Sequence, residues 1–448
     1  MDTSSIKQSQ MFSFSTDENS NESCWISPHF PMGIYSDKDS EKEQELCNID
    51  LYNSPQFAIC PKLNHTNPGI EIYSIPSEIS KKSFERKQCY LDSKKRAPES
   101  KKIAKYKVSS SCSYSPAPLL AYHLSRILGN ILQVPQAVRR SVITATYNKQ
   151  ANLALDHLNS SLLIAKTWTV LQSQLDSPES NIRSHYILSN DLQTTVGSLI
   201  KNSDNDNDWN ELMVGKDKSQ IERAQLFMQL PLYQQLGQAD DISSSIGQQW
   251  NNNNVQKLQT LGDISDMLLF DYLMQQEDRF YNIAYSEHWL QKDPQNNQIQ
   301  FISKKEYEQN QLANNPEIFK IQKMMLKDND CALATEKGVS RRNIVDQMHM
   351  LDYVKHIKQS TYKKILNLNN MLNSSDKTMR EQSSQFNKLC TEELMMTATD
   401  LTYLRKRISN LSAKLKTACE QKSLKLDLDL EYHFANSGKK FSCDLRMQ

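Results

Sequence analysis

The sequence predicts an α+β fold with a helix-rich second half, preceded by a largely disordered N-terminal region. Three observations carry this expectation. Residues 1–98 mix Ser, Asn, Lys, Glu and Pro with no sustained apolar period, leaving little apolar surface to offset chain entropy. Two segments, Pro118 to Leu128 and Asp263 to Gln276, repeat apolar residues every three or four positions. Strand-like runs occur at Gln298 to Ile302 and Lys323 to Lys327, and helical periodicity returns from Arg341 onward.

Within the first 98 residues only Phe57-Ala58-Ile59 and Ile70-Glu71-Ile72-Tyr73 look strand-like. Ile103 to Val108 reads as a short strand. In the following helix Leu120, Leu124, Ile127 and Leu128 share a face, with Pro in the first turn and Gly129 past the end. Leu132 to Thr144 contains the turn-like pair Val134-Pro135 and then the β-branched Val142, Ile143 and Thr144. Leu162-Leu163-Ile164-Ala165 is short enough for a buried strand or hinge. The polar stretches Asn202 to Trp209 and Gln248 to Asn254 read as inserted loops, with an amphipathic helix at Gln220 to Leu230 between them. Asp263 is a good N-cap for a helix that is apolar on most of its circumference and so belongs to a core. Helical segments follow near Arg341 to Ile357, Thr361 to Leu372 and Glu392 to Ala418. In the last, Leu401, Leu404, Ile408, Leu411 and Leu415 alternate by three and four, which suits a terminal helix on its own domain or a short coiled coil joining copies.

Composition narrows the function. The 448 residues carry 53 Lys+Arg against 52 Asp+Glu, a balance that argues against a whole-chain nucleic-acid binder. No window approaches the roughly 20 apolar residues of a membrane span. Met1 to Ser20 has no basic flank or apolar stretch, so the expectation is a cytoplasmic chain unless the true start lies upstream, which would allow the secretory pathway or Golgi. Nine scattered cysteines without a C-x-x-C pair argue against a zinc ribbon and give no sign of a disulfide framework.

The informative feature is a pair of acidic motifs. Phe270 to Arg279 (FDYLMQQEDR) ends a core helix, and Met325 to Asp330 (MLKDND) ends a strand. Phosphoryl transfer needs such a pair, one carboxylate to accept the proton of the attacking hydroxyl and another to hold the metal on the phosphates. On that reading Asp278 is the base, Asp328 the metal ligand, and Asn282 and Asp330 further metal ligands. Taken singly, Asp278 reads better as a cap or salt-bridge partner near Arg279, and Asp328-Asn329-Asp330 as a polar turn.

With its surroundings the pair resembles the atypical kinases of the Four-jointed type and the related secretory-pathway protein and glycan kinases. Three blocks in order carry the resemblance: Leu119 to Gly129 with Val134-Pro135 and Arg139; Asp266 to Leu273 with Asp278-Arg279; and Asp328 to Leu333. The resemblance implies a two-lobed protein-kinase-like fold with a helix-rich C-lobe, which binds ATP with Mg²⁺ or Mn²⁺ and phosphorylates a protein or glycan hydroxyl. It implies an N-lobe-like segment at 99–172, a helical insert with polar loops at 173–255, the C-lobe at 256–430 and a tail at 431–448. Lys105 or Lys107 is then the lysine on the nucleotide phosphates. Pro118 stands where the family's helix carries a glutamate, Asn282 lies one residue before the usual second metal ligand, and no glycine-rich loop precedes the lysines. These departures keep two alternatives open: a pseudokinase scaffold that works through protein partners, and a helical coiled-coil adaptor using residues 392–418.

Overall fold

The computed structural model describes residues 9–15, 21–91, 95–160, 162–177, 187–203, 206–302, 304–309, 315–333, 343–434 and 443. Seven strands form the first sheet: β1 (Gln10–Ser15), β2 (Asn21–Ile26), β3 (Phe57–Pro61), β4 (Ile70–Ser74), β5 (Lys101–Lys107), β6 (Ala137–Ile143) and β7 (Thr194–Lys201). Their order is β1-β2-β6-β7-β5-β4-β3, antiparallel throughout. The second sheet comprises β8 (Asn207–Asp208), β9 (Ile283–Lys292), β10 (Ile299–Ile302) and β11 (Ile318–Leu326), with β9 between β10 and β11 and β8 paired to β9. The fold is therefore mixed α+β, as the sequence predicts.

Strand β5 lies between β4 and β7, and its alternation decides what the site receives. Ala104 and Tyr106 are fully buried in an apolar core with Tyr147 and Trp168, from the helices Thr144–His157 and Leu163–Asp176. Lys105 and Lys107, two apart, take the opposite face. A larger core forms around the helix Asn252–Met274, against which β11 and the helix Ala398–Glu420 pack.

Four expectations are corrected here. Residues 9–15 and 21–91 are not disordered: they contribute β1–β4 and the helices Asp37–Cys47 and Lys81–Lys87, while residues 1–8, 16–20 and 92–94 lie outside the described residues. The polar composition hides what holds them, namely strand pairing, the buried ion pairs Glu22–Arg140 (2.9 Å) and Asp39–Arg126 (2.7 Å), and disulfides. The cysteines do form a framework, Cys24–Cys47, Cys60–Cys89, Cys112–Cys331 and Cys419–Cys443, leaving Cys390 free and buried. Local spacing gave no clue, because each pair joins cysteines distant in sequence. Thiol titration of unfolded chain is expected to count one thiol without reductant and nine after reduction; three or more before reduction would contradict the pairing.

Leu163–Asp176 is a helix rather than a strand or hinge, with Trp168 and Leu171 fully buried along one face. Asp263 is no cap: the helix starts at Asn252, capped by the Asn251 side chain on the Asn254 amide. Asp263 is instead fully buried, accepting hydrogen bonds from Gln259 (2.7 Å) and the Met324 amide (2.9 Å). In the last long helix Leu404, Ile408 and Leu411 are fully buried within this chain's own core. The expected helix start at Arg341 and most of the 431–448 tail lie outside the described residues.

Candidate functional site

The two acidic motifs meet because β9 and β11 pair. The register sets Ile283 opposite Leu326, so the loop entering β9, which carries Asp278, lies beside the loop leaving β11, which carries Asp328 and Asp330. Several bonds fasten the loops to each other. Gln276 accepts from the amides of Glu277 (3.0 Å) and Asp278 (3.2 Å) and donates to the Asp328 carbonyl at 3.2 Å. Arg279, buried, makes a two-pronged ion pair with Asp271 and reaches the Lys327 carbonyl (2.8 Å) and Asn329 Oδ1 (2.6 Å). Gln275 (φ 54°) and Asp328 (φ 49°) turn these loops through left-handed backbone, an uncommon conformation outside glycine.

Across from the Asp328 loop stands β5. Lys107 Nζ lies 2.6 Å from Asp330 Oδ1 and 3.3 Å from Asp328 Oδ1. The other Asp330 oxygen accepts from Asn67 at 3.3 Å. Pro118 lines the neighbouring cleft together with Lys105, Val134, Ile200, Asn202 and Asp328. Burial opposes the charge on Asp328, yet Lys107, Lys105, Lys62 and His65 hold its carboxyl well below the usual range. Burial opposes the Lys107 charge too, and Asp330 and Asp328 keep it above the ordinary lysine range. For Lys105, burial prevails and pulls its amine down, with Asp328 opposing.

Asp278 sits about a third exposed, its Oδ1 accepting from Gln220 (2.6 Å) and Arg223 (3.1 Å). Asn282 donates to the Asp278 carbonyl at 2.8 Å and so closes its own turn. The structure therefore joins Lys107, Asp328 and Asp330 in direct contact, and links the Asp278 loop to them through Gln276 and Arg279. Among the described residues no three acids, histidines or cysteines converge as a ready metal cage. Both Asp330 oxygens are engaged, and Lys107 also meets one oxygen of Asp328.

Sequence reasoning missed Lys62, His65 and Asn67, on the turn joining β3 to β4. Both flanking strands were visible, and a reading that paired them across Pro68-Gly69 would have found the turn. It also missed Gln220 and Arg223, whose helix Gln220–Met228 carries no mark of a site. No protein-family model, curated protein or solved structure matches this chain.

Proposed function

We propose that the chain is an ATP-dependent phosphotransferase of the atypical kinase clan acting on a protein or glycan hydroxyl. The observation that carries this is Lys107 held between Asp328 and Asp330 beside the loop of Asp278. The strand run supports it: β3-β4-β5-β7-β6 are neighbours in that order, Lys107 lies on the third strand of the run, and the helix Pro116–Ile127 follows. Protein kinases likewise set their phosphate lysine on a third strand ahead of a helix, with the catalytic Asp and the metal-binding Asp on separate loops. In this reading the regions flanking the cleft are the two lobes.

Asp278 orients the acceptor hydroxyl and takes its proton while that oxygen bonds the γ-phosphorus and the bond to ADP breaks. Lys107 neutralises phosphate charge, with Asp330 holding the ammonium in place. Asp328 and Asn282 would hold Mg²⁺ or Mn²⁺, which neutralises charge on the phosphate oxygens. Eight paired cysteines support an oxidising compartment as the place of work, since such bridges persist there. Incubated with acceptor, Mn²⁺ or Mg²⁺ and terminally labelled ATP, the protein is expected to transfer label and Asp278→Ala to abolish transfer. Equal labelling by the variant removes Asp278 from the mechanism.

A pseudokinase scaffold is the second reading, favoured by Arg223 and Gln220 on Asp278 and by the acid-free helix Pro116–Ile127. A thermal-shift titration separates the two. Nucleotide at 100 times its dissociation constant adds about 2.7 kcal/mol to a binding-competent fold. No shift with any nucleotide and metal favours the scaffold.

A further inference from the structure

We propose that Lys62, at the start of the β3–β4 turn, is a binding residue for the outer phosphates of the nucleotide, taking the place of a glycine-rich loop. This rests on the phosphotransferase reading of the Lys107–Asp328 site and adds a residue to it.

Lys62 is 1% exposed, and its Nζ is buried with no hydrogen-bond partner among the described residues. An ammonium carries three donors, and one taken out of water without acceptors is costly. Its backbone is fixed: the amide donates to the Gly69 carbonyl at 2.9 Å, and its carbonyl accepts from the buried Trp168 indole at 3.3 Å. The turn is also held down at Asn67, which donates to Asp330 and to Cys112 Sγ (3.0 Å) and Cys331 Sγ (3.2 Å). Lys62 is therefore delivered to the acidic loop by a fastened hairpin.

The charged groups around it do not satisfy it. From β5 it meets Lys107 and Lys105, which repel it. From the loop after β11 it meets Asp328 and Asp330, whose contacts go to Lys107 and Asn67. Glu71 on β4 is engaged by Lys102 at 3.2 Å and by the Tyr73 hydroxyl at 2.7 Å. His65, in its own turn, is pushed down to about 4 by burial and by Lys62 itself, so it stays neutral and accounts for none of the missing acceptors. Three lysines thus face two aspartates, and a ligand with several anionic oxygens supplies the acceptors that Lys62 lacks. Burial and the Lys107 charge lower the Lys62 amine to about 7, so the free protein holds it largely neutral at pH 8. An arriving phosphate favours the charged amine, and binding takes up a proton.

The test is calorimetric titration of wild type, Lys62→Met and Lys62→Arg with ATP, adenosine and inorganic tripolyphosphate, at pH 8 in buffers of different ionisation enthalpy. Wild type is expected to bind ATP and tripolyphosphate with proton uptake. Lys62→Met is expected to bind both about tenfold or more weakly, without uptake and with adenosine binding unchanged, and Lys62→Arg to retain most of the affinity. If wild type binds no phosphate compound, the nucleotide reading itself falls. If wild type binds ATP and Lys62→Met matches it within about twofold, the Lys62 assignment alone falls. Met is apolar and of similar length, so the variant is expected to keep its fold. Should it not fold, Lys62→Gln, which keeps a polar tip without the charge, takes its place, and ATP binding within about twofold of wild type overturns the proposal.

Discussion

Arg279→Ala is expected to lower the stability of the chain by about 3–5 kcal/mol, the range for breaking one side of a buried ion pair. The guanidinium is 2% exposed and spans three segments: the end of the helix Asn252–Met274 through Asp271, the end of β11 through the Lys327 carbonyl, and the acidic loop through Asn329. Truncation leaves Asp271 buried without its partner. Burial already raises that carboxyl above its usual range with Arg279 against it, which shows how poorly solvated the site is. Arg279→Lys is expected to recover only part of the loss, because a point ammonium does not reproduce the fork. Urea unfolding of both variants and of Asp271→Asn measures this; a loss under about 1 kcal/mol for Arg279→Ala would mean that the loops are held without it.

How much of this was legible in the sequence differs from residue to residue. The placement of Lys105 and Lys107 on one face of a strand follows from an alternation that five residues display. The candidate roles of Asp278 and Asp328 were readable from their positions after buried elements, but their convergence depends on the Ile283–Leu326 register across a long intervening segment. No local pattern specifies such a pairing. Lys62 was invisible for a different reason. Its hairpin gains stability from β5, about forty residues away, and from Cys60–Cys89, so its own composition looks like that of an unfolded chain. Asp263 shows the opposite error, a residue whose local chemistry suits a helix start but which tertiary contacts with Met324 and Lys358 hold in a helix interior.

Lys107→Met is expected to cost about 3–5 kcal/mol near pH 8 and to abolish any ATP-dependent thermal shift. Asp330 has a side chain 1% exposed and Asp328 one 22% exposed, and among the described residues neither Lys62 nor Lys105 hydrogen-bonds either carboxylate. The pH dependence distinguishes this from a simple packing defect. In wild type both carboxyls are held below their usual range, so their contribution is present above about pH 4 and fades as pH falls through their folded values. Lys107 is held above its usual range, so its contribution is complete below about pH 10 and fades as pH rises through its folded value. Lys107, Asp328 and Asp330 therefore contribute evenly between about pH 5 and 9. Without the ammonium, burial pushes the Asp330 carboxyl upward, and ionising it costs stability progressively above about pH 4. The variant is thus expected to lie closest to wild type near pH 5 and furthest below it near pH 8. Unfolding curves at those two pH values decide the matter, since a difference independent of pH would show that Lys107 fills space rather than balancing the two acids.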